Sequence, residues 1–192
     1  MNALLLILAA TCAIPMLAIS RTLEVGPGAA YANLQAAAAA AQPGDTILFK
    51  KGIHAGGPYV VGLQGRADAW ITIVGEGGEA VIRGGTNAWQ LTDPAYLRIT
   101  GISFGGQTGN GLNIDDGGSP DTPAHHIIIE RCQWLDINAT GNNDLLKMSG
   151  IDSFWVRDCT FQNGSPGGSM IDMVGCHDGS FLGNRFERGG SN

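Results

Sequence analysis

Leu145-Leu146-Lys147-Met148-Ser149-Gly150, followed by Phe154-Trp155-Val156-Arg157-Asp158-Cys159-Thr160-Phe161, decides the fold, because the chain says it twice. Met170-Ile171-Asp172-Met173-Val174-Gly175 and Phe181-Leu182-Gly183-Asn184-Arg185-Phe186 repeat the pattern. Leu146 to Ile171 and Phe161 to Phe186 are each 25 residues apart. Each copy holds two short apolar runs of alternating character, parted by Gly, Ser, Asn and Asp. That is strand, turn, strand, turn at a fixed period. One such unit cannot bury its apolar face alone, whereas stacked units can, so the pattern predicts a solenoid with one coil per repeat.

Earlier stretches carry the same grammar at looser spacing. Ile129-Glu130-Arg131-Cys132-Gln133-Trp134 aligns with Val156–Phe161 at 27 residues, and Ile99–Phe104 lies 30 residues before Trp134. Gly111-Leu112-Asn113-Ile114-Asp115-Asp116 aligns with the Leu145 stretch at 34, the excess falling in the polar segment Asp115–Thr122, read as an inserted loop. A leucine-rich repeat would need a Leu-x-x-Leu-x-Leu run and a helix in every unit, and neither is present. With 30 glycines and Val, Ile, Phe and Trp in short runs, the reading is all-β: a parallel β-helix.

Nearer the start, Thr22–Val25 and Thr46–Phe49 read as strands and Tyr31–Ala41 as a short helix. An exposed first coil needs a cover, and this helix is the expected N-terminal cap. Tyr59–Leu63, Trp70–Val74 and Ala80–Ile82 follow as strands. His125-His126 are expected to close the inserted loop, and His177-Asp178 to lie in a turn.

Residues 1–20 carry no charged side chain, and Ala18-Ile19-Ser20 offers small residues before Arg21. They read as a secretory signal peptide, leaving 21–192 as the β-helix domain in a secreted or periplasmic protein. An uncleaved membrane anchor or a lipoprotein site at Cys12 are the competing readings; after cleavage no stable membrane insertion is expected. The solenoid is expected to continue past Asn192, because the chain stops directly after a coil. Removing the leader leaves Cys132, Cys159 and Cys176, an odd number, so a full disulfide framework is excluded. Cys132 and Cys159 share a repeat position and should stack, either as a bridge or as a reduced buried pair. With 15% charged residues and a net charge of −6, the chain is folded and gives no basic patch, and no nucleic-acid partner is expected.

Gly44-Asp45-Thr46-Ile47-Leu48, Trp70-Ile71-Thr72-Ile73-Val74-Gly75 and the Val-x-x-Cys/Asn-x-Phe coils resemble the right-handed parallel β-helix proteins of the pectate-lyase-like superfamily. The resemblance covers nearly all of residues 22–192. It implies fold more than activity, since that superfamily holds lyases, hydrolases, epimerases and non-enzymatic adhesins.

Period-two alternation sends Leu112/Ile114, Leu146/Met148 and Ile171/Met173 inward, and Asn113, Lys147 and Asp172 outward in one column. Such a column suits a long glycan groove, and a monomer binding polysaccharide is the expectation. The leading reaction is β-elimination on an acidic polysaccharide, which needs a base and a positive charge near the substrate carboxylate. Lys147 is the candidate base, provided its neighbours lower its pKa, and Asp172 stands beside it. Asp115, Asp116 and Asp144 are the candidate ligands for calcium. Asn113 and an exposed Trp155 are the candidate substrate contacts. The competing readings are a cross-strand ion pair for Lys147 and Asp172, and turn chemistry for Asp115-Asp116. At the level of function they are a glycoside hydrolase on the same scaffold and a non-catalytic glycan-binding or surface β-helix.

Overall fold

The computed structural model describes residues 20–119 and 121–189. The expected leader and Cys12 fall on residues 1–19, outside the described residues. The chain winds through three strand positions per coil. The first coil holds β1 (Thr22–Val25) and α1 (Leu34–Ala38). Then come β2 (Thr46–Phe49), β3 (Gly52–Ala55) and β4 (Tyr59–Val61), and next β5 (Ile71–Gly75), β6 (Ala80–Arg83) and β7 (Trp89–Thr92). The following coil is β8 (Ala95–Thr100), β9 (Ile102–Gly105) and β10 (Leu112–Asp115). After it run β11 (Ala124–Glu130), β12 (Gln133–Leu135) and β13 (Leu146–Ser149), then β14 (Ile151–Arg157), β15 (Thr160–Gln162) and β16 (Ile171–Val174). β17 (His177–Leu182) and β18 (Arg185–Glu187) end the described part.

Among the described residues these strands form three parallel sheets of seven, six and five strands. The seven-stranded sheet runs β1-β2-β5-β8-β11-β14-β17, the six-stranded β3-β6-β9-β12-β15-β18, and the five-stranded β4-β7-β10-β13-β16. The repeat alignments become ladder register: Leu146 pairs with Ile171, Leu112 with Leu146, Phe161 with Phe186 and Trp134 with Phe104.

Stacking buries one apolar side chain per coil at most inward positions. Ile47, Ile73, Ile99, Ile129 and Val156 form one such file, all fully buried, each contributing roughly 1.5–3 kcal/mol. Five aromatic rings, Phe49, Trp89, Phe104, Trp134 and Phe161, run through the core in contact, and the half-exposed Phe186 continues the row, with successive centroids 4.6–5.2 Å apart. Cys132 and Cys159 are buried free thiols at the turn between the seven- and six-stranded sheets, so the reduced alternative is the one observed. Burial pushes the Cys132 thiol well up. Asn184 takes the place of Cys159 one coil on. Its Oδ1 accepts from the Cys159 N–H at 2.9 Å, and its Nδ2 donates to Val156 O at 2.8 Å.

Several expectations shift. The helix covers only Leu34–Ala38, because Tyr31 is already taken: its N–H donates to Glu24 O and its carbonyl accepts from Gly26 N–H. Asn33 caps the shortened helix, its Oδ1 accepting from Ala36 N–H at 3.0 Å, and Leu34 and Ala37 are buried against β1, β2 and β4. β3 was not legible because its alternation is inverted: Ile53 is 69% exposed while His54 points inward, 8% exposed, on Lys50 O. His125-His126 do not close a loop; they lie inside β11. His177-Asp178 begin β17 rather than a turn. Tyr96, His126, Ser153 and Asp178 occupy equivalent places in four successive coils, and all have φ of 48–56°. Each costs on the order of 1–2 kcal/mol, yet residues on both sides remain paired. The bulge thus turns one residue per coil out of the ladder without breaking it.

Among the described residues no helix is long and apolar enough to cross a membrane.

Candidate functional site

The five-stranded sheet presents two outward columns. One is Tyr59–Gln90–Asn113–Lys147–Asp172; the other is Val61–Thr92–Asp115–Ser149–Val174. Five strands at sheet spacing make a track about 19 Å long. The track is wired internally. Asn113 Nδ2 donates to Gln90 Oε1, Gln90 Nε2 donates to Asp115 Oδ2, and Lys147 Nζ donates to Asp172 Oδ2.

The corner between this sheet and the seven-stranded one is concave. A cleft of about 570 Å³ is lined by Tyr59, Gln90, Thr92, Asp115, Asp116 and Ser149 among others. A second, of about 390 Å³, is lined by Asp116, Ser149, Asp152, Val174 and His177 with neighbouring Gly and Pro. Asp116 and Ser149 belong to both, so the two form one groove beside the columns. At its far end His177 Nδ1 lies 3.0 Å from Asp152 Oδ1. Sequence reasoning passed over Asp152, because nothing in a strand of seven marks one outward residue. The signal that could have found it is the register itself, since Asp152 pairs directly with His177.

Lys147 and Asp172 do share a column, with Asn113 next to them. The condition set for Lys147 as a base is not met. Its hydrogen bond to Asp172 outweighs its partial burial, and with the charges of Asp172 and Asp144 holds its pKa above the ordinary lysine value. The ammonium therefore keeps its proton, and the pair is a cross-strand ion pair. Asp144 lies beneath it, 1% exposed, with Oδ2 at 3.7 Å from Lys147 Nζ and Oδ1 accepting from Ser169 N–H at 2.8 Å. Asp144 Oδ2 and Asn113 Oδ1 are buried without a hydrogen-bond donor.

Asp115 and Asp116 are engaged in turn chemistry. Their Oδ1 atoms accept from Gly117 N–H at 3.0 Å and Gly118 N–H at 2.8 Å, and left-handed φ values of 71° and 79° make glycine necessary there. Both acids lie at the end of β10, level with Ser149, whereas Asp144 precedes β13 by two residues. The five residues of extended chain from Asp144 to Ser149 span about 16 Å. Asp115, Asp116 and Asp144 therefore do not fit one calcium site. No group of three His, Cys, Asp or Glu among the described residues is placed to hold a metal ion.

Trp155 is outward and 36% exposed, but on the seven-stranded sheet, away from the Lys147 column. There it shares a face with Glu130, which is buried at 2% exposure under three guanidiniums. Arg157 donates to Glu130 Oε2 through Nε at 2.8 Å and through its NH2 group at 2.6 Å, Arg131 donates to Oε1 at 2.9 Å, and Arg98 stands 3.6 Å away. Burial pushes the Glu130 carboxyl up, but the Arg157 hydrogen bond and the charges of Arg131, Arg98 and Arg157 together outweigh it and hold the pKa below the usual glutamate value. The net charge of −6 thus hides a local cationic cluster that only folding assembles.

No protein-family model matches the sequence, and no curated protein matches it. Solved structures match. An alginate lyase from Paenibacillus sp. is 18% identical, with 88% of this chain and 76% of that one covered and a TM-score of 0.46. Pectate lyase Pel9A is 17% identical, with 82% and 47% covered and a TM-score of 0.50. A variant of the PL6 family alginate lyase AlyGC is 16% identical, with 72% and 24% covered and a TM-score of 0.47. The likeness to Pel9A shows the fold, a right-handed parallel β-helix. This chain spans about half the length of that lyase.

Proposed function

We propose that this chain is a secreted polysaccharide-acting protein, its polymer lying along the five-stranded sheet, and that its reaction is β-elimination with His177 as the base. The observation that supports this most is the His177–Asp152 contact inside a cleft continuous with the outward columns. The fold, shared with a pectate lyase, is consistent with it. In this reading Asp152 accepts the His177 Nδ1 proton and fixes the tautomer, leaving the Nε2 lone pair to act. Nε2 takes the proton from the carbon bearing the uronate carboxylate. The released electron pair forms the carbon–carbon double bond, and the adjacent glycosidic C–O bond breaks, its oxygen taking up a proton from water while His177 returns its own to solvent. Lys147 and Asn113 stand in the outward column that the polymer would follow, five residues of chain before Asp152 in the case of Lys147, and would meet a neighbouring sugar rather than the one losing its proton. No step is routed through calcium, since the three acids do not form one site. At the other end of the solenoid we read α1 as the cover of the first coil, because it stands where later coils carry their second and third strands.

A second reading has an observation of its own. Asp116 and Asp152 line the same cleft, and a glycoside hydrolase works with two carboxylates flanking the bond it cuts. One experiment separates the readings. The protein is incubated with polygalacturonate, alginate and chondroitin, with and without a chelator. Ultraviolet absorbance of an unsaturated uronide, lost by roughly 10²–10⁴-fold in His177→Ala, is the expected result. Full activity in that variant overturns the assignment of the base. New reducing ends without absorbance establish hydrolysis, and polymer binding without either product establishes a non-catalytic binder. Loss of activity on chelation restores a cation to the mechanism.

A further inference from the structure

We propose that the outer face of the seven-stranded sheet is a second glycan-binding surface, specific for uronate residues and separate from the groove. Two outward columns cross there side by side. Arg98, Ile128 and Trp155 are register neighbours on β8, β11 and β14, and Thr100, Glu130 and Arg157 are neighbours two residues further along the same strands. At sheet spacings this patch is about 10 Å by 7 Å. Arg131 reaches it from the turn that follows β11, where its guanidinium bonds both Glu130 and Thr100 Oγ1.

Charge and shape argue for the occupant. Three guanidiniums face one carboxylate, and that carboxylate is spent: Oε2 accepts twice from Arg157 and Oε1 accepts from Arg131. Arg98 stands 3.6 Å from Glu130, beyond hydrogen-bond distance, so its donor fork is not used by the carboxylate beneath it. It is 40% exposed, and Arg131 is 65% exposed. An excess of cationic donors calls for an anion, and a guanidinium fork matches a carboxylate. Between Arg98 and Arg157 the floor is Ile128 with the indole of Trp155, an apolar platform rather than a wholly polar one. A ligand that brings a carboxylate and the apolar C–H face of a ring together satisfies both halves, and a hexuronate residue does so. The acidic groove contrasts with it: Asp115, Asp116 and Asp152 line its clefts, and Asp158, the acid nearest the patch in sequence, lies at the turn after Arg157. The cationic face would therefore gather an anionic polymer that the groove by itself attracts poorly.

This inference rests on an acidic polysaccharide being a ligand, but not on the chemistry in the groove. The test is calorimetric titration of the full chain with polygalacturonate and with alginate, at low and at moderate salt. The variants are Arg98→Gln, Trp155→Ala, and Lys51→Gln as the control for loss of an exposed cation elsewhere. The expected result is binding that weakens about tenfold in each of the first two variants and is unchanged in Lys51→Gln. Circular dichroism confirms that each variant is folded. Binding unaffected by Arg98→Gln and Trp155→Ala overturns the proposal, as does an absence of binding by the wild-type chain. Competition by poly-glutamate as effective as that by the glycan also overturns it, because that shows attraction by charge alone. Activity on short oligosaccharides, if present, is retained in Arg98→Gln, so a failure here is distinct from a failure of the base assignment.

Discussion

Replacing Trp134 by phenylalanine leaves the protein nearly as stable as before, whereas replacing it by alanine does not. Trp134 is fully buried, stacked on Phe161 at 4.6 Å and 9° and on Phe104 at 5.1 Å and 29°. Removing a ring from such a site costs about 3–5 kcal/mol, which is the expected loss for Trp134→Ala. The phenylalanine change keeps a stacked ring, and Phe already holds the same position one coil before and one coil after. It removes about 40 Å³, worth about 1 kcal/mol as cavity, and roughly another 1–1.5 kcal/mol of lost apolar burial. Against that stands the Trp134 Nε1 proton donor, buried without an acceptor. Its removal regains about 1–3 kcal/mol of desolvation. The two sides nearly cancel, and Trp134→Phe should fall within about 1 kcal/mol of the wild type. Urea unfolding followed by far-ultraviolet circular dichroism measures both variants on one scale. A loss in Trp134→Phe as large as in Trp134→Ala refutes the reasoning. It would mean that the indole N–H is satisfied or that the full indole is needed to fill the coil.

Three further outcomes follow from the same coordinates. Asp45 is 2% exposed and accepts from the Arg21 guanidinium and from the Arg21 and Gln42 N–H groups. Burial raises its pKa, but those bonds outweigh burial and hold it below the usual carboxylate value. Its stabilisation is complete above the unfolded pKa and is lost as pH falls through the lower folded one. Asp45→Asn should cost about 1–3 kcal/mol at neutral pH and flatten the acid limb of melting temperature against pH. For Lys147 the sign reverses: its pKa is raised, by the Asp172 hydrogen bond above all. Its contribution is present below the unfolded pKa and fades as pH rises through the folded value. Lys147→Met should cost more than Asp172→Asn, because it leaves the buried Asp144 without the cation 3.7 Å away. Asp172 is a third exposed, and losing it costs at most about 1 kcal/mol; thermal melts of the two variants check the order. Gly111→Ala should destabilise by about 1–3 kcal/mol, since a Cβ there would meet the Leu145 carbonyl and, at 2.6 Å, Trp134 Cδ1. Trp134→Phe should not rescue it, because the carbonyl remains.

The sequence by itself determined the solenoid, its coil-to-coil register over the last three turns, and the faces on which Lys147, Asp172 and Trp155 lie. The physical reason is that burial acts once per coil. Every apolar residue that must face inward leaves its mark at a fixed spacing, and Leu146 and Ile171 could be paired on paper for that reason. Where the inward residue is polar, as with His54 in β3, the mark is missing and the strand is not legible in the sequence. Only the tertiary structure decided what the outward residues do to one another. Lys147 and Asp172 were legible as neighbours, but that their attraction is aided by a buried Asp144, and keeps the lysine protonated, depends on how the loop before β13 folds back. The Arg98, Arg131 and Arg157 cluster comes from three coils, and His177 meets Asp152 through the register of β14 and β17. Electrostatics acts over distance in space, and distances between residues on different coils are set by stacking, not by position along the chain.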